Sequence, residues 1–563
     1  MFPRNFSNNW YLLCGLCLFS FSSCKKNDGS SPAPPPVIPS ALSVTNSTAD
    51  NTPLVTTVLN YNFRPSASFR LSFNNALKRS SVTSSVAVLE NANAAVGINI
   101  GYERGDSVLV ITPSAPLKFL SRYTLRLQPT LQSVKNGALA AESNVQVQTQ
   151  IDSSRKFPVI SDNALLDLVQ QQTFKYFWDF GHPVSGLARE RNTSGELVTS
   201  GGSGFGIMAI ITAVNRGFIT RAQGLARLQT MVAFLKNTAQ TFHGAYPHWL
   251  NGITGAVIPF SAKDNGADLV ETSYLVQGLL CAREYFAPLP TEPTLRADIN
   301  TICNRVEWSW FRNGNQNTLF WHWSPNFNWE MNLQIRGWNE SLITYVLAAS
   351  STTFGIPATV YNSGWKGAGG FVNGNIYYSY TLPLGPALGG PLFFSHYSFM
   401  GINPNGLSDA SANYATQTKN HTLINYSYSR ANPRGYFGYS DSVWGLTASD
   451  IQNGYTASSP TNDVGVIAPT AALSSFPYTP AESMAALKFY YYVLGDKLFK
   501  EYGFVDAFSL HDLWFATSTL AIDQGPIIVM IENHRSGLLW NLFTSCPEVK
   551  TGMQSLGFIA PYL

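Results

Sequence analysis

The chain has 563 residues, with 36 Lys and Arg against 33 Asp and Glu, for a net charge of +3. That length accommodates two or three domains, and a near-neutral chain with no basic stripe and no zinc-finger spacing argues against a nucleic-acid partner. Aromatic residues make up 13% and charged residues 12%, with 13 Trp and 26 Tyr. Charge at about half the usual share means that these rings are either well buried or offered to a ligand. The C–H faces of a sugar are one such ligand.

In chain order, residues 1–24 read as an export signal: Arg4, an apolar run from Trp10 to Phe21, then Phe21-Ser-Ser-Cys24. Small residues directly before a Cys resemble a bacterial lipoprotein box, which predicts lipidation at Cys24 and a protein exported and anchored to a membrane at the periplasmic or cell surface. No other run reaches the ~20 apolar residues of a membrane span. Residues 25–40, with Gly-Ser-Ser-Pro-Ala-Pro-Pro-Pro, form a stiff polar tether. Residues 41–150 alternate Val, Thr and Ser in short runs such as Ser68–Phe73, Ser107–Thr112 and Tyr123–Leu127, the pattern of a small β-sandwich. This segment resembles the bacterial immunoglobulin-like modules found beside secreted glycosidases. It carries no catalytic constellation and suits a spacer. Cys281, Cys303 and Cys546 form an odd set without metal spacing.

Residues 155–563 turn helical. Strongly apolar runs begin near Gly204, Asp268, Trp338, Pro391, Pro480 and Pro526. Amphipathic ones cover Asp162–Phe180, Arg221–Thr241, Pro293–Phe311 and Ala412–Ser429. Asp268-x-x-Glu271 and Thr479-Pro-Ala-Glu482 have the form of capping boxes, and Gly525-Pro526 suggests Pro at a first helical position. Two kinds of helix in alternation, about six of each, predict an (α/α)6 barrel, whose buried inner helices start at one mouth.

The acids cluster where those inner helices would begin. Asp264-Asn-Gly-Ala-Asp268-Leu-Val-Glu271 sets three carboxylates at i, i+4 and i+7, one face of a helix. Glu340 opens the next run in Arg336-Gly-Trp-Asn-Glu340, and Asp523 precedes Pro526. Helix N-termini hold a carboxylate ionised, whereas crowding and apolar neighbours favour its protonated form. A site with both influences can keep one acid protonated and one base ionised, as inverting glycoside hydrolysis requires. Asp268 with Glu271, and Glu340 behind Asn339, also fit simple helix caps. A calcium loop does not fit the spacing of Asp264, Asn265 and Asp268, so no metal is expected. Gly201-Gly-Ser-Gly204 lacks the Lys of a phosphate loop.

Connectors add sugar-binding candidates: Trp321, His322, Trp338, His396, Tyr397, Trp444, Tyr478 and Arg434. A glycan-binding lipoprotein without catalysis would use the same aromatics, although binding alone does not need acids at every helix mouth.

At these residues the chain resembles a known family. Asp264–Phe286, Gly337-Trp-Asn-Glu340, Leu392-Phe-Phe-Ser-His396-Tyr397-Ser and Asp523-Gln-Gly-Pro526 are similar to the bacterial glucoamylase-like domain, which includes the endo-β-1,2-glucanases of glycoside hydrolase family 144. The resemblance covers about residues 158–563. It implies an (α/α)6 barrel, a metal-free and cofactor-free mechanism, and hydrolysis of β-1,2-glucan or its oligosaccharides with inversion, by endo attack or by sophorose release from chain ends. It implicates Asp264, Asp268, Glu271, Glu340 and Asp523 in activity. Glu340 is the expected general acid, and Asp268 and Asp523 the candidate bases.

Overall fold

The computed structural model describes residues 39–367 and 371–563. The export signal, Cys24 and nearly all of the tether lie outside the described residues. The chain divides into two compact units, one drawn from residues up to 146 and a larger one that holds everything from Val147 to Leu563.

The smaller unit is built of antiparallel β-structure. Strand Phe69–Phe73 lies between Val44–Ala49 and Val108–Pro113, and Val108–Pro113 pairs in turn with Ile98–Glu103. In a second sheet Val86–Glu90 runs antiparallel to the strand that ends at Leu127. Burial follows the period-2 pattern: Phe69, Leu71 and Phe73 face inward while Arg70 is exposed.

In the larger unit two classes of helix alternate. Ser200–Asn215, Leu269–Phe286, Leu342–Ser350, Pro469–Leu473 and Ala521–Ser536 are buried on nearly every side. Asp162–Trp178, Arg221–Asn237, Pro293–Asn304, Tyr414–Ala431 and Pro480–Lys488 bury one face. The amphipathic helices have local start signals. Ser161 Oγ accepts from Ala164 N, Asn413 Oδ1 accepts from Thr416 N, and Thr220 with Gln223 completes a capping box. The Ser200 and Leu269 helices touch at Gly204 and Gly278. A Cβ on either would overlap the other helix's backbone, so only glycine permits this approach. The Ser200 helix also packs on Ala521–Ser536, which packs on Pro469–Leu473, and the Leu269 helix packs on Leu342–Ser350.

Several expectations are corrected. The run at Pro391 forms two short 3-10 turns, Leu392–Ser395 and Ser398–Met400, because Gly401 and Pro404 follow too soon for a full helix. The Pro480 helix belongs to the half-exposed class. The buried segment before it is Pro469–Leu473, whose five residues are too few to show a period. Thr479 makes no side-chain cap bond. Pro526 sits inside its helix, which begins at Ala521, so Asp523 lies in the first turn and not ahead of it. The acids Asp264, Asp268 and Glu271 do not share a helix face. Ala267–Asp268 pairs as a short strand with His322–Trp323, and the helix starts only at Leu269. Cys281, Cys303 and Cys546 are free thiols. No described helix is long and apolar enough to cross a membrane.

Candidate active site

The starts of the buried helices surround a cleft of about 440 Å³. Its walls include Glu271 and Glu340, the rings of His248, Trp249, Phe260, Trp321, Phe393, Tyr397 and Tyr455, and the pair Glu190 and Arg191. Phe260 is half exposed, stacks on His248 at a centroid distance of 4.3 Å, and meets Trp249 edge-on at 4.8 Å. Such an apolar shelf suits the C–H face of a pyranose.

Asp268 is the N-cap of its helix. Its Oδ1 accepts from Val270 N at 3.0 Å and from Glu271 N at 2.9 Å. Its Oδ2 lies 3.2 Å from His248 Nδ1 and 3.5 Å from His322 Nε2. Burial alone would raise this carboxyl, but the bonds from the two imidazoles hold it well below the usual range. Asp264 stands 3.4 Å from His322 Nε2, and burial, then the Asp268 charge, pushes it up to about 6. Burial opposes the charge on His248, yet Glu271 and then Asp268 raise it to about 9.

The capping box is half formed. Asp268 supplies its cap, but Glu271 does not reach back to the Asp268 N–H, which donates instead to Tyr246 O. Glu271 Oε2 accepts from Gly201 N at 2.9 Å, at the N-terminus of the neighbouring helix. The glycine run there binds an anion after all, and the anion is the protein's own carboxylate. Burial pushes Glu271 up to about 7.

Glu340 precedes helix Leu342–Ser350. Asn339 Oδ1 accepts from Ser341 N, and Ser398 Oγ donates to the Glu340 carbonyl. The carboxyl therefore faces the cleft from a braced backbone. Burial, with Glu271 and Asp268 nearby, pushes it up to about 7.

Asp523 is buried in the first turn of its helix beside Leu520 and Ile522, which line the cleft. It faces Asp506, and burial and that second carboxyl push Asp523 well above the usual range. Tyr397 lines the cleft, and burial, then the Asp523 charge, with Glu340 contributing, raise its hydroxyl well above the usual range.

Of the other expected residues, Trp321 and Tyr397 line the cleft, and His322 stands behind it on Asp264 and Asp268. The rest lie elsewhere. Trp338 is buried against Trp365, Phe399 and Tyr414. His396 is buried against Ser475 and burial lowers it to about 3, so it is neutral. Tyr478 donates to Ser395 O. Trp444 is fully buried, and its indole N–H donates to Glu482 O. Arg434 is exposed beside Tyr436 and Tyr428. Connector aromatics therefore divide between cleft and core. His248, Phe260, Glu190, Arg191, Tyr455 and Asp506 escaped the sequence reading. Asp506 alone had a visible signal, as an acid inside the apolar stretch Phe504-Val-Asp-Ala-Phe508.

His248, Asp264 and Asp268 bring ligand atoms within 4.8 Å of one another, close enough for a small cation. Asp268, however, already spends both oxygens on two backbone N–H groups and two imidazoles. The set works as a hydrogen-bonded brace that fixes the Glu271 helix start.

Residues 332–547 match a family model described as "putative glucoamylase", and residues 40–149 match a bacterial Ig-like domain. The crystal structure of a "putative glucoamylase" from Bacteroides uniformis is 55% identical at TM-score 0.71, covering 72% of this chain and 100% of that one. An endo-β-1,2-glucanase from Chitinophaga pinensis, in complex with sophorotriose and glucose, is 51% identical at TM-score 0.70, again over 72% of this chain and all of its own. A curated exo-β-1,2-glucooligosaccharide sophorohydrolase of Parabacteroides distasonis is 44% identical over 439 residues, 74% of this chain, and the chain spans 60% of that relative's length. The chain belongs to the bacterial glucoamylase-like family, glycoside hydrolase family 144.

Proposed function

We propose that the protein is an inverting glycoside hydrolase that cleaves β-1,2-glucosidic bonds within β-1,2-glucan. The observation that carries this reading is a pair of acids at a ring-lined cleft: Glu340 faces the cavity with its carboxyl pushed up to about 7, and Asp523 is buried behind the cleft wall beside Leu520 and Ile522. Glu340 gives its proton to the departing glucosidic oxygen. One water attacks the anomeric carbon from the opposite face, and its proton passes to Asp523. Asp523 fits the base better than Asp268, whose two oxygens are already engaged by two backbone N–H groups and two imidazoles. Asp523 does not itself line the cleft, so the proton travels through a hydroxyl, for which Tyr397 and Tyr455 are available. Glu271 and the His248 brace hold the reacting sugar.

Endo action is favoured by the 51% identity to an endo-acting relative over that relative's full length. The alternation of six buried segments, counting Leu392–Met400, with half-buried ones supports an (α/α)6 barrel. The sequence around Cys24 supports a lipid-anchored exported protein. In that case a Cys24→Ser chain leaves the membrane fraction.

The test is product sizing over time on linear β-1,2-glucan beside an α-glucan. Mixed oligosaccharides early from the β-1,2-linked substrate are expected. Sophorose alone from the start would replace endo by exo action, and release only from the α-glucan would reject the reading.

A further inference from the structure

Asp506 and Asp523 lie with their carboxyls in hydrogen-bonding contact, and both are 1% exposed. Asp506 Oδ2 accepts from Asp450 N at 2.6 Å. Asp506 Oδ1 and Asp523 Oδ2 are buried and receive no donor. Two buried carboxylates cannot both stay ionised in contact, and an orphaned buried acceptor loses its hydration without a replacement bond.

The surrounding charges say where a proton must go. Asp450, Glu190, Arg191, Tyr455 and Tyr397 face the pair. Among the described residues, four carboxyls (Glu190, Asp450, Asp506 and Asp523) thus meet one cation, Arg191. Its guanidinium is used by Glu190 at 2.8 Å and by Asp450 at 3.2 Å. Asp450 Oδ2 also accepts from Ser518 Oγ at 2.6 Å. Those two acids are compensated, and the inner pair is not.

We infer that Asp506 and Asp523 share one proton between their facing carboxyl oxygens, so that the pair carries a single negative charge, with Asp506 as the positioning residue for Asp523. This rests on the reading of Asp523 as the base. The shared proton satisfies both orphan oxygens and removes one of two repelling charges. It fixes the Asp523 carboxyl and leaves the pair able to accept one further proton. In turnover the water oxygen bonds the anomeric carbon and the glucosidic C–O bond breaks. The leaving oxygen takes the Glu340 proton, and the water's proton goes to Asp523. The proton already shared by the pair is conserved over the cycle. Solvent then returns one proton to Glu340 and removes one from Asp523.

Asp506→Asn and Asp506→Ala test this. The Asn amide can donate to Asp523 in place of the shared proton, so kcat stays within about tenfold of wild type, the scale of one altered hydrogen bond. Ala removes the donor, and kcat falls by roughly 10²-fold or more at similar KM, the scale of a misplaced general base. Asp506→Asn as inactive as Asp506→Ala, or both as active as wild type, overturns the inference. A second readout needs no substrate: carbon-13 NMR of aspartate-labelled protein at pH 8. One protonated aspartate carboxyl is expected in wild type and none in Asp506→Asn. None in wild type overturns the inference. If wild type fails to cleave β-1,2-glucan, the hydrolase reading falls while the carboxyl count still judges the pair.

Discussion

The backbone N–H of Gly201 donates to Glu271 Oε2 at 2.9 Å, tying the start of one buried helix to an acid on the next. A Cβ at Gly201 would overlap that oxygen and come within 2.9 Å of Tyr274 Cδ2. Gly201→Ala must therefore push the Glu271 carboxyl toward the cleft. The expected stability loss is about 1–3 kcal/mol, as for overpacking elsewhere. The expected fall in kcat is larger, roughly 10²-fold, because a small displacement of a positioning group costs that much. Denaturant melts and steady-state kinetics on β-1,2-glucan check both.

Glu340→Gln removes the proton donor but keeps the shape and the braced backbone. Turnover should fall by roughly 10²–10⁴-fold, the range for general acid catalysis, while oligosaccharide affinity by calorimetry holds within a few-fold. In wild type the alkaline limb of kcat should lie near pH 7, because Glu340 must be protonated to act and burial holds it at about 7. An alkaline limb unchanged in the residual activity of Glu340→Gln would reject the role.

The same shifts predict how stability responds to pH. Glu271 is raised from 4.5 to about 7 and Asp264 from 3.8 to about 6, so the folded state binds their protons more tightly than the unfolded state. That stabilisation is full below the unfolded values and is lost as pH rises through the folded ones. His248, raised from 6.5 to about 9, acts in the same sense at higher pH. The melting temperature should therefore fall between pH 5 and 8. Glu271→Gln, which is always neutral, should show a shallower fall across pH 5–7. Identical slopes would mean that Glu271 titrates normally.

Chelation should do little. Asp268 accepts three hydrogen bonds and lies 3.5 Å from His322 Nε2, so the His248–Asp264–Asp268 group has no free carboxylate of Asp268 to offer a cation. Dialysis against EDTA should leave kcat/KM within about twofold, well inside the loss expected when a ligated metal is stripped. A large loss restored by one divalent ion would overturn the brace reading.

The sequence exposed this architecture unevenly. The long runs at Asp162, Ser200, Arg221, Leu269 and Tyr414 were readable because 3.6-residue periodicity or continuous apolarity persists over several turns. Pro469–Leu473 and the turns after Pro391 were not, because a single turn shows no period and its burial comes from neighbours far away in sequence. Acids at helix starts were visible by position, and Glu340 and Glu271 face the cleft. Aromatics were not sorted by the sequence: Trp321 and Trp338 sit in similar connectors, yet one lines the cleft and the other fills the core. Asp506, at the far side of Asp523, becomes meaningful only when folding brings residues 17 positions apart into contact.

Single-displacement hydrolysis by Glu340 and Asp523 would invert the anomeric carbon. Proton NMR of the newly formed reducing ends, recorded in the first minutes of cleavage of linear β-1,2-glucan, tests it most directly. Inversion predicts that the α-anomer appears first and relaxes to the equilibrium mixture. Initial appearance of the β-anomer, or no new reducing ends at all, would contradict the account.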